Sequence, residues 1–270
     1  AQARERFDRL TLRVESSIRQ RFDMPLFGLR GAHGIHNASE KLDRIEFRDY
    51  VHAIRLGEQV PGVRGFGYIV KVPRQDLATF ELAERADNAE SFRVKTSGNA
   101  PDLYVIKMIE PIANNGQAMG LDVGSEPVRR AAVLRAIDSG EATLTGPIKL
   151  KQDARQRPGV LYLLPLYQEG ATPPQDAAQR RARLVGIYYA PIVIDELMQG
   201  LFETADLQLD ISLNDETDAQ PVTTFEVGGF AAMDDVRRFK AERHLSIAGR
   251  HYVLRTEPNA AFAQVVDRST

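Results

Sequence analysis

An α+β fold with antiparallel sheets follows from three features of the 270-residue sequence. Residues 1–57 carry helical periodicity, the pattern beyond them turns to short β-prone runs, and those runs follow one another in hairpin-like succession instead of alternating with helices. The length exceeds one ordinary domain, and 43% hydrophobic content supplies one or two cores, so two modules are expected behind the helical segment.

In the first helix, Phe7, Leu10, Val14, Ile18 and Phe22 form a narrow stripe suited to pairing with another helix or to lying along a domain. Pro25 and the glycines at 28, 31 and 34 are expected to interrupt it. A second helix is expected from Asn37 or Ser39 to Gly57, with Leu42, Ile45, Tyr50 and Ile54 on one side. Residues 63–70 read as a strand, Pro73 opens an amphipathic helix to Ala86, and strands are expected at 91–96, 103–110, 142–150 and 159–167. Residues 168–183, rich in Gly, Pro, Gln and Arg, read as a loop or linker. The pattern then restarts on a smaller scale, with strands at 184–189, 207–213, 223–227, 242–247 and 252–256 and a helix at 194–201. The expected division is 1–58 for the helical stalk, 59–180 for the first module and 181–270 for the second.

The segment 120–150 is the most informative about function. Gly120-Leu-Asp sets Asp122 on the loop before a helix that Ser125 can cap, Glu126 favours, Pro127 tolerates and Gly140 can close. Val128, Ala131, Leu134 and Ile137 recur along that helix while Arg129, Arg130 and Arg135 face elsewhere, and a β-prone run follows. One acid so placed suits a small-molecule pocket, where a buried carboxylate accepts hydrogen bonds from a ligand N–H; it also suits a loop cap or an ion pair with Arg129. Leu144 and Thr145 sit in the following run, and Tyr104, Met108 and Tyr162 would face the same cavity by β alternation, although each also suits ordinary core packing.

Several classes of function are disfavoured. With 35 basic against 37 acidic residues and a formal net charge of -2, the chain has no electrostatic footprint for nucleic acid or an anionic membrane. The absence of cysteine excludes disulfides, thiolate nucleophiles and cysteine-bound metal. No run reaches the roughly 20 apolar residues of a membrane span, and Ala-Gln-Ala-Arg-Glu-Arg lacks the core of a signal peptide. The chain opens in mid-helix and closes abruptly, as a piece of a longer protein would. His33 and His36 with Glu40 are a weak metal candidate, so neither metal nor cofactor is expected. No Gly-x-Ser-x-Gly turn or phosphate loop is present, and Gly65-Phe-Gly lacks the third glycine of a dinucleotide loop, so catalysis has no visible apparatus. A hydrolase or isomerase using Asp122 with Glu110 or Glu126 is one rival reading, and an interaction domain with a vestigial pocket is another. The charge runs Arg180-Arg-Ala-Arg and Arg237-Arg-Phe-Lys read as solvated faces.

Phe47-Arg-Asp-Tyr-Val, Pro61-Gly-Val-Arg-Gly-Phe-Gly-Tyr, Gly120-Leu-Asp, Ser125-Glu-Pro-Val-Arg-Arg-Ala, Asp138-Ser-Gly, Leu144-Thr-Gly-Pro, Gly159-Val-Leu and Pro165-Leu-Tyr follow one another along the chain. This ordered series resembles the CHASE domain, an extracytoplasmic sensory module found before histidine kinase and nucleotide or diguanylate cyclase outputs and best known from plant cytokinin receptors. The resemblance implies a long N-terminal helix followed by two PAS-like modules, the membrane-distal one holding the ligand, with transmembrane helices flanking the domain in a periplasmic or extracellular setting. It also implies that Asp122 bonds an adenine-type ring, that Leu144 contributes its backbone, and that Asp153 stands where cytokinin receptors place a threonine against the ligand tail. A small-molecule ligand and a homodimer through the N-terminal helix are the expected partners.

Overall fold

The computed structural model describes residues 2–39, 42–230 and 239–268. Helix α1 spans Gln2–Ala38 and passes through Pro25 without ending. An interior proline costs about 3 kcal/mol in an exposed helix, but here the stripe it interrupts is buried from Phe7 to Phe22 and again at Leu29 and Ala32. Gly28 has a packing role: a Cβ there would lie 2.6 Å from the Phe66 ring, and its carbonyl accepts a 2.6 Å bond from Tyr50 Oη. The expected interruption is therefore a close contact along an unbroken helix.

The chain forms two compact units, Pro25–Val193 and Ala1–Met24 with Ile194–Thr270. In the first, α2 (Arg44–Ile54) begins later than expected, where Asp43 and Glu46 form a reciprocal capping box. Strand β1 (Phe66–Pro73), helix α3 (Leu77–Ala86) and β2 (Asp102–Glu110) follow. Residues 91–96 are not a strand and touch the sheet region through an isolated bridge from Lys95 to Leu121. Helix α4 (Pro127–Ser139) leads into the short strands β3 (Thr143–Leu144) and β4 (Ile148–Lys149), then β5 (Pro158–Tyr167).

The expected linker contains helix α5 (Ala177–Arg183), capped by Asp176, and it returns the chain to the same sheet. Arg180 bonds the Asp138 carbonyl and Arg181 grips the Asp138 carboxylate at 2.5 and 2.6 Å, so this arginine run fastens α5 to the end of α4. Arg237 and Arg238 of the other run lie outside the described residues. Strand β6 (Leu184–Val193), which the sequence pattern assigns to the second module, is a central strand of the first sheet, in the order β2-β1-β6-β5-β3 with β4 on β5. Every residue from Gly186 to Val193 is buried, as a strand covered on both faces requires.

This antiparallel sheet has two dissimilar faces. Ile69, Ile106, Leu161, Leu163, Ile187 and Tyr189 pack in one core with Val133, Ala136 and Ile137 of α4. The buried stripe of α4 is thus Ala132, Val133, Ala136 and Ile137, while Val128 and Leu134, expected on the inner face, are 39% and 37% exposed. On the other face Tyr188 lies 4.8 Å from Tyr68 and 6.1 Å from Phe47 of α2, centroid to centroid, and its hydroxyl meets His36 Nδ1 at 2.8 Å.

The smaller unit holds an antiparallel sheet of β7 (Leu209–Asp215), β8 (Val222–Val227), β9 (Ala241–Ile247) and β10 (Arg250–Pro258), in the order β8-β7-β10-β9. Residues 194–201, expected as one helix, form separate turns at Ile194–Leu197 and Leu201–Thr204, and helix α6 (Ala260–Asp267) follows β10. Phe7 packs on Phe239 and Phe262, Phe22 stacks on Tyr252 at 5.6 Å, and the hydroxyls of Thr11 and Thr256 meet at 2.9 Å. The stripe of α1 is consequently consumed inside its own unit and is not free to pair with a second helix. Together the long helix and two antiparallel sheets make an α+β fold of PAS-like modules.

Phe22→Ala should cost about 3 to 5 kcal/mol in urea unfolding, and Val14→Glu should abolish cooperative melting of the smaller unit. An unchanged melting curve for Val14→Glu, accompanied by a lower sedimentation coefficient, would contradict this account of the stripe.

Candidate functional site

Asp122 sits at a junction of three segments. Gly120 (φ 80°) turns the chain in the left-handed region, and a side chain there would strike the Arg93 carbonyl. Residues 120–122 then run as a short extended piece beside β2, with Gly120 N bonding Ile106 O and Ile106 N bonding Leu121 O, while Asp122 N donates to Lys95 O. The carboxylate is 3% exposed. Its Oδ1 accepts from Tyr104 N and Gly124 N, both at 2.9 Å, and its Oδ2 accepts from Thr96 Oγ1 at 2.8 Å. Asp122 therefore caps the turn Val123–Ser125, as its loop position allows, and does not pair with Arg129.

Glu126, and not Ser125, caps α4: its carboxylate accepts from Val128 N and Arg129 N and binds Arg129 Nη1 at 3.1 Å. Although burial works against it, these donors hold Glu126 below the usual carboxylate range. Arg129 reaches the Lys149 carbonyl on β4, whereas Arg130 reaches the Asp102 carbonyl on β2 and stacks over the Tyr104 ring at 5.5 Å. Adjacent arginines of one turn thereby tie α4 to opposite sides of the sheet.

The remaining sequence-derived candidates do not converge on one point. Tyr104 is beside Asp122, but Leu144 lies on β3, four strand positions away in the sheet order, about 19 Å measured along the sheet. The Leu144 carbonyl faces Arg135 Nη2 at 3.4 Å, and Thr145 is locked to Leu161, its hydroxyl accepting Leu161 N at 2.9 Å. Met108 and Tyr162 lie on the face opposite the α4 core. For Met108 the cause is a β-bulge: Tyr68 pairs with Met108 but Ile69 with Ile106, so Lys107 is the extra residue and strict alternation from Tyr104 fails. Tyr162 alternates with Leu161 and Leu163, which face α4.

Asp153 is buried in a separate turn. It accepts from Arg157 N, Nε and Nη2 at 2.9 to 3.2 Å and lies 3.5 Å from Arg64 Nη2. The Arg157 side-chain bonds, foremost, hold its carboxyl at about 2. Glu40 of the histidine-rich candidate lies outside the described residues, and among the described residues no group of three or more acids and histidines forms a metal site.

Two polar groups that sequence reasoning passed over belong to this region. Thr96 stands in a run that reads as a strand, and Tyr189 stands in an apolar strand. Tyr189 is buried in the α4 core, and its hydroxyl has no hydrogen-bond partner among the described residues. Burial pushes its pKa up, and the nearby Arg129 pulls the other way.

The family model of the CHASE domain matches residues 40–225. The chain belongs to the CHASE family. CHASE domains are extracytoplasmic sensors, not catalysts themselves, and the match takes in α2, the whole first sheet and the Asp122 junction. No curated protein matches this CHASE domain. Among solved structures it is similar to one described as "Methyl-accepting Chemotaxis protein X", at 12% identity and a TM-score of 0.46, with 91% of this chain and 96% of that chain covered. Among the described residues no helix is long and apolar enough to cross a membrane.

The Asp153 turn gives a pH-dependent contribution. Its carboxyl is held at about 2 against an ordinary 3.8, so the contribution is complete above the ordinary value and is lost as the pH falls through the folded one. At neutral pH Asp153→Asn should be less stable than the parent by about 2 kcal/mol. That gap should close as urea unfolding is repeated from about pH 5 down to about pH 2; a gap constant with pH would show that the ion pair is not its source.

Proposed function

We propose that the first sheet and α4 form the ligand-sensing module of a membrane receptor, with the ligand lying on the α4 face and donating an N–H to Asp122. The observation that carries this reading is the Asp122 carboxylate, buried yet with Oδ2 holding one hydrogen bond, from the Thr96 hydroxyl. A carboxylate oxygen accepts two bonds readily, and Thr96 can yield its place by turning to the Ser97 carbonyl, 3.4 Å away. The unpartnered Tyr189 hydroxyl supplies a second polar function on the same face.

A planar heteroaromatic ligand with a ring N–H, such as an adenine-type cytokinin, fits that chemistry. Tyr104 would flank it, whereas Leu144 and Thr145, four strands away, lie beyond the reach of a ring bonded to Asp122. Asp153, Met108 and Tyr162 enter such a site only if the ligand or the loops around it extend beyond this face. The ligand would shift a two-state equilibrium that flanking transmembrane helices pass to a histidine kinase or cyclase output. Homodimerisation along α1 would use its outward positions, since Leu12, Met24 and Phe27 are 57%, 42% and 81% exposed.

A second reading, an interaction domain with a filled pocket, is favoured by the close packing of the α4 face, where Ile69, Ile106, Leu163 and Ile187 are at most 2% exposed. Thermal shift against adenine-type cytokinins, nucleobases, amines and carboxylates separates the two. Asp122→Asn keeps an acceptor for Tyr104 N and Gly124 N but presents an amide donor where Oδ2 stood. A stabilising ligand that donates to Oδ2 should bind the variant roughly tenfold to a hundredfold more weakly. A cooperative melt unmoved by every compound would favour the interaction domain.

A further inference from the structure

The α2 face of the same unit carries a separate cleft of about 720 Å³, bounded by α2, the end of β2 and residues 88–95. Its volume lies within the range of small-molecule sites. Its accessible apolar surface comes from Ile45 and Ile112, 50% and 44% exposed, and from the half-buried Met119, with Phe47, Phe92 and Met108 buried at its base. Asp122 is not among the lining residues.

The charges around it are unequally engaged. Arg44 is spent on Glu84 and the Lys107 carbonyl, and Glu110 accepts Ile112 N at 3.1 Å beside His52. Arg93 is exposed and has no partner among the described residues. Among the described residues Arg48 meets only its neighbour Asp49, at 3.3 Å and in solvent, where such pairs contribute little. Lys95 gives one bond to the Gln117 carbonyl and keeps further donors. Among the described residues, the acid of the lining left without a partner is Glu90, exposed at the rim. Cationic capacity on the rim therefore exceeds anionic, over an apolar base.

We propose that this cleft is a second binding site, for a small organic anion with a carboxylate on an apolar, ring-sized body. The carboxylate would take forked hydrogen bonds from Arg48 and Arg93, with Lys95 adding charge, and the body would lie against Ile45, Ile112 and Met119. Neutral compounds of the same shape would gain only the apolar contact. The wall of the cleft continues directly into Thr96, so an occupant would steady the segment that also carries the Asp122 partner.

The test is calorimetric titration of the whole chain with 3-phenylpropionate and with its amide, 3-phenylpropanamide. The acid should bind at least about tenfold more tightly than the amide, and added salt should narrow the difference. Arg48→Gln with Arg93→Gln should lose about tenfold or more for the acid and leave the melting temperature unchanged, because both side chains are solvent-facing. Glu90→Gln should tighten the acid by a few-fold. Asp122→Asn should leave acid binding as it is, which separates this site from the one on the α4 face. Equal binding of acid and amide, no binding of either, or an unaltered affinity in the double variant would overturn the proposal.

Discussion

One buried carboxylate fixes where three stretches of chain meet. Asp122 receives a backbone N–H from β2, another from its own turn, and a hydroxyl from the segment after α3. A buried charge without such donors would be costly, so the entry to α4, the edge of β2 and residues 95–97 are obliged to keep their relative places. The Gly120 turn delivers the acid to this point, and the Glu126 cap with Arg129 and Arg130 carries the order onward into α4. A structural role of this kind does not compete with sensing. A carboxylate whose partners include one exchangeable hydroxyl can both hold the loop and report on a ligand that replaces that hydroxyl.

The two faces of the first sheet differ in what they offer. The α4 face is packed largely with aliphatic side chains, interrupted by the Tyr189 phenol, which has no hydrogen-bond partner among the described residues. The α2 face carries an aromatic cluster around Tyr188 and, beyond it, an open cleft with a charged rim. A single extra residue in β2, Lys107, decides which face Met108 joins. Membership of the CHASE family accounts for the sensory role, and the asymmetry of the faces limits where a ligand of given polarity can sit.

Helix α1 has a double duty that its composition conceals. Its apolar stripe forms part of the core of the smaller unit through Phe7, Thr11 and Phe22, and its C-terminal half brings Gly28 and His36 to the aromatic face of the larger one. A proline within it is tolerated because the surrounding contacts far outweigh one missing backbone hydrogen bond.

Local chemistry was legible in the sequence. The α+β class, most strands, the capped helix after Asp122 and the CHASE resemblance all rest on periodicity, caps and short motifs, which depend on neighbours close in the chain. What lay beyond it depends on partners distant in sequence. That Leu184–Val193 completes the first sheet follows from burial on both faces, and residues 168–183 look like a boundary until α5 is seen gripping Asp138. Gly28 reads as a helix breaker until Phe66 is seen against it, and the α1 stripe reads as a dimer seam until Tyr252 and Phe262 cover it. Asp122 was singled out by its place on the loop before α4 and by the ordered series of motifs around it; only the tertiary structure supplied its donors, because Thr96 and Tyr104 reach it through space and not along the chain.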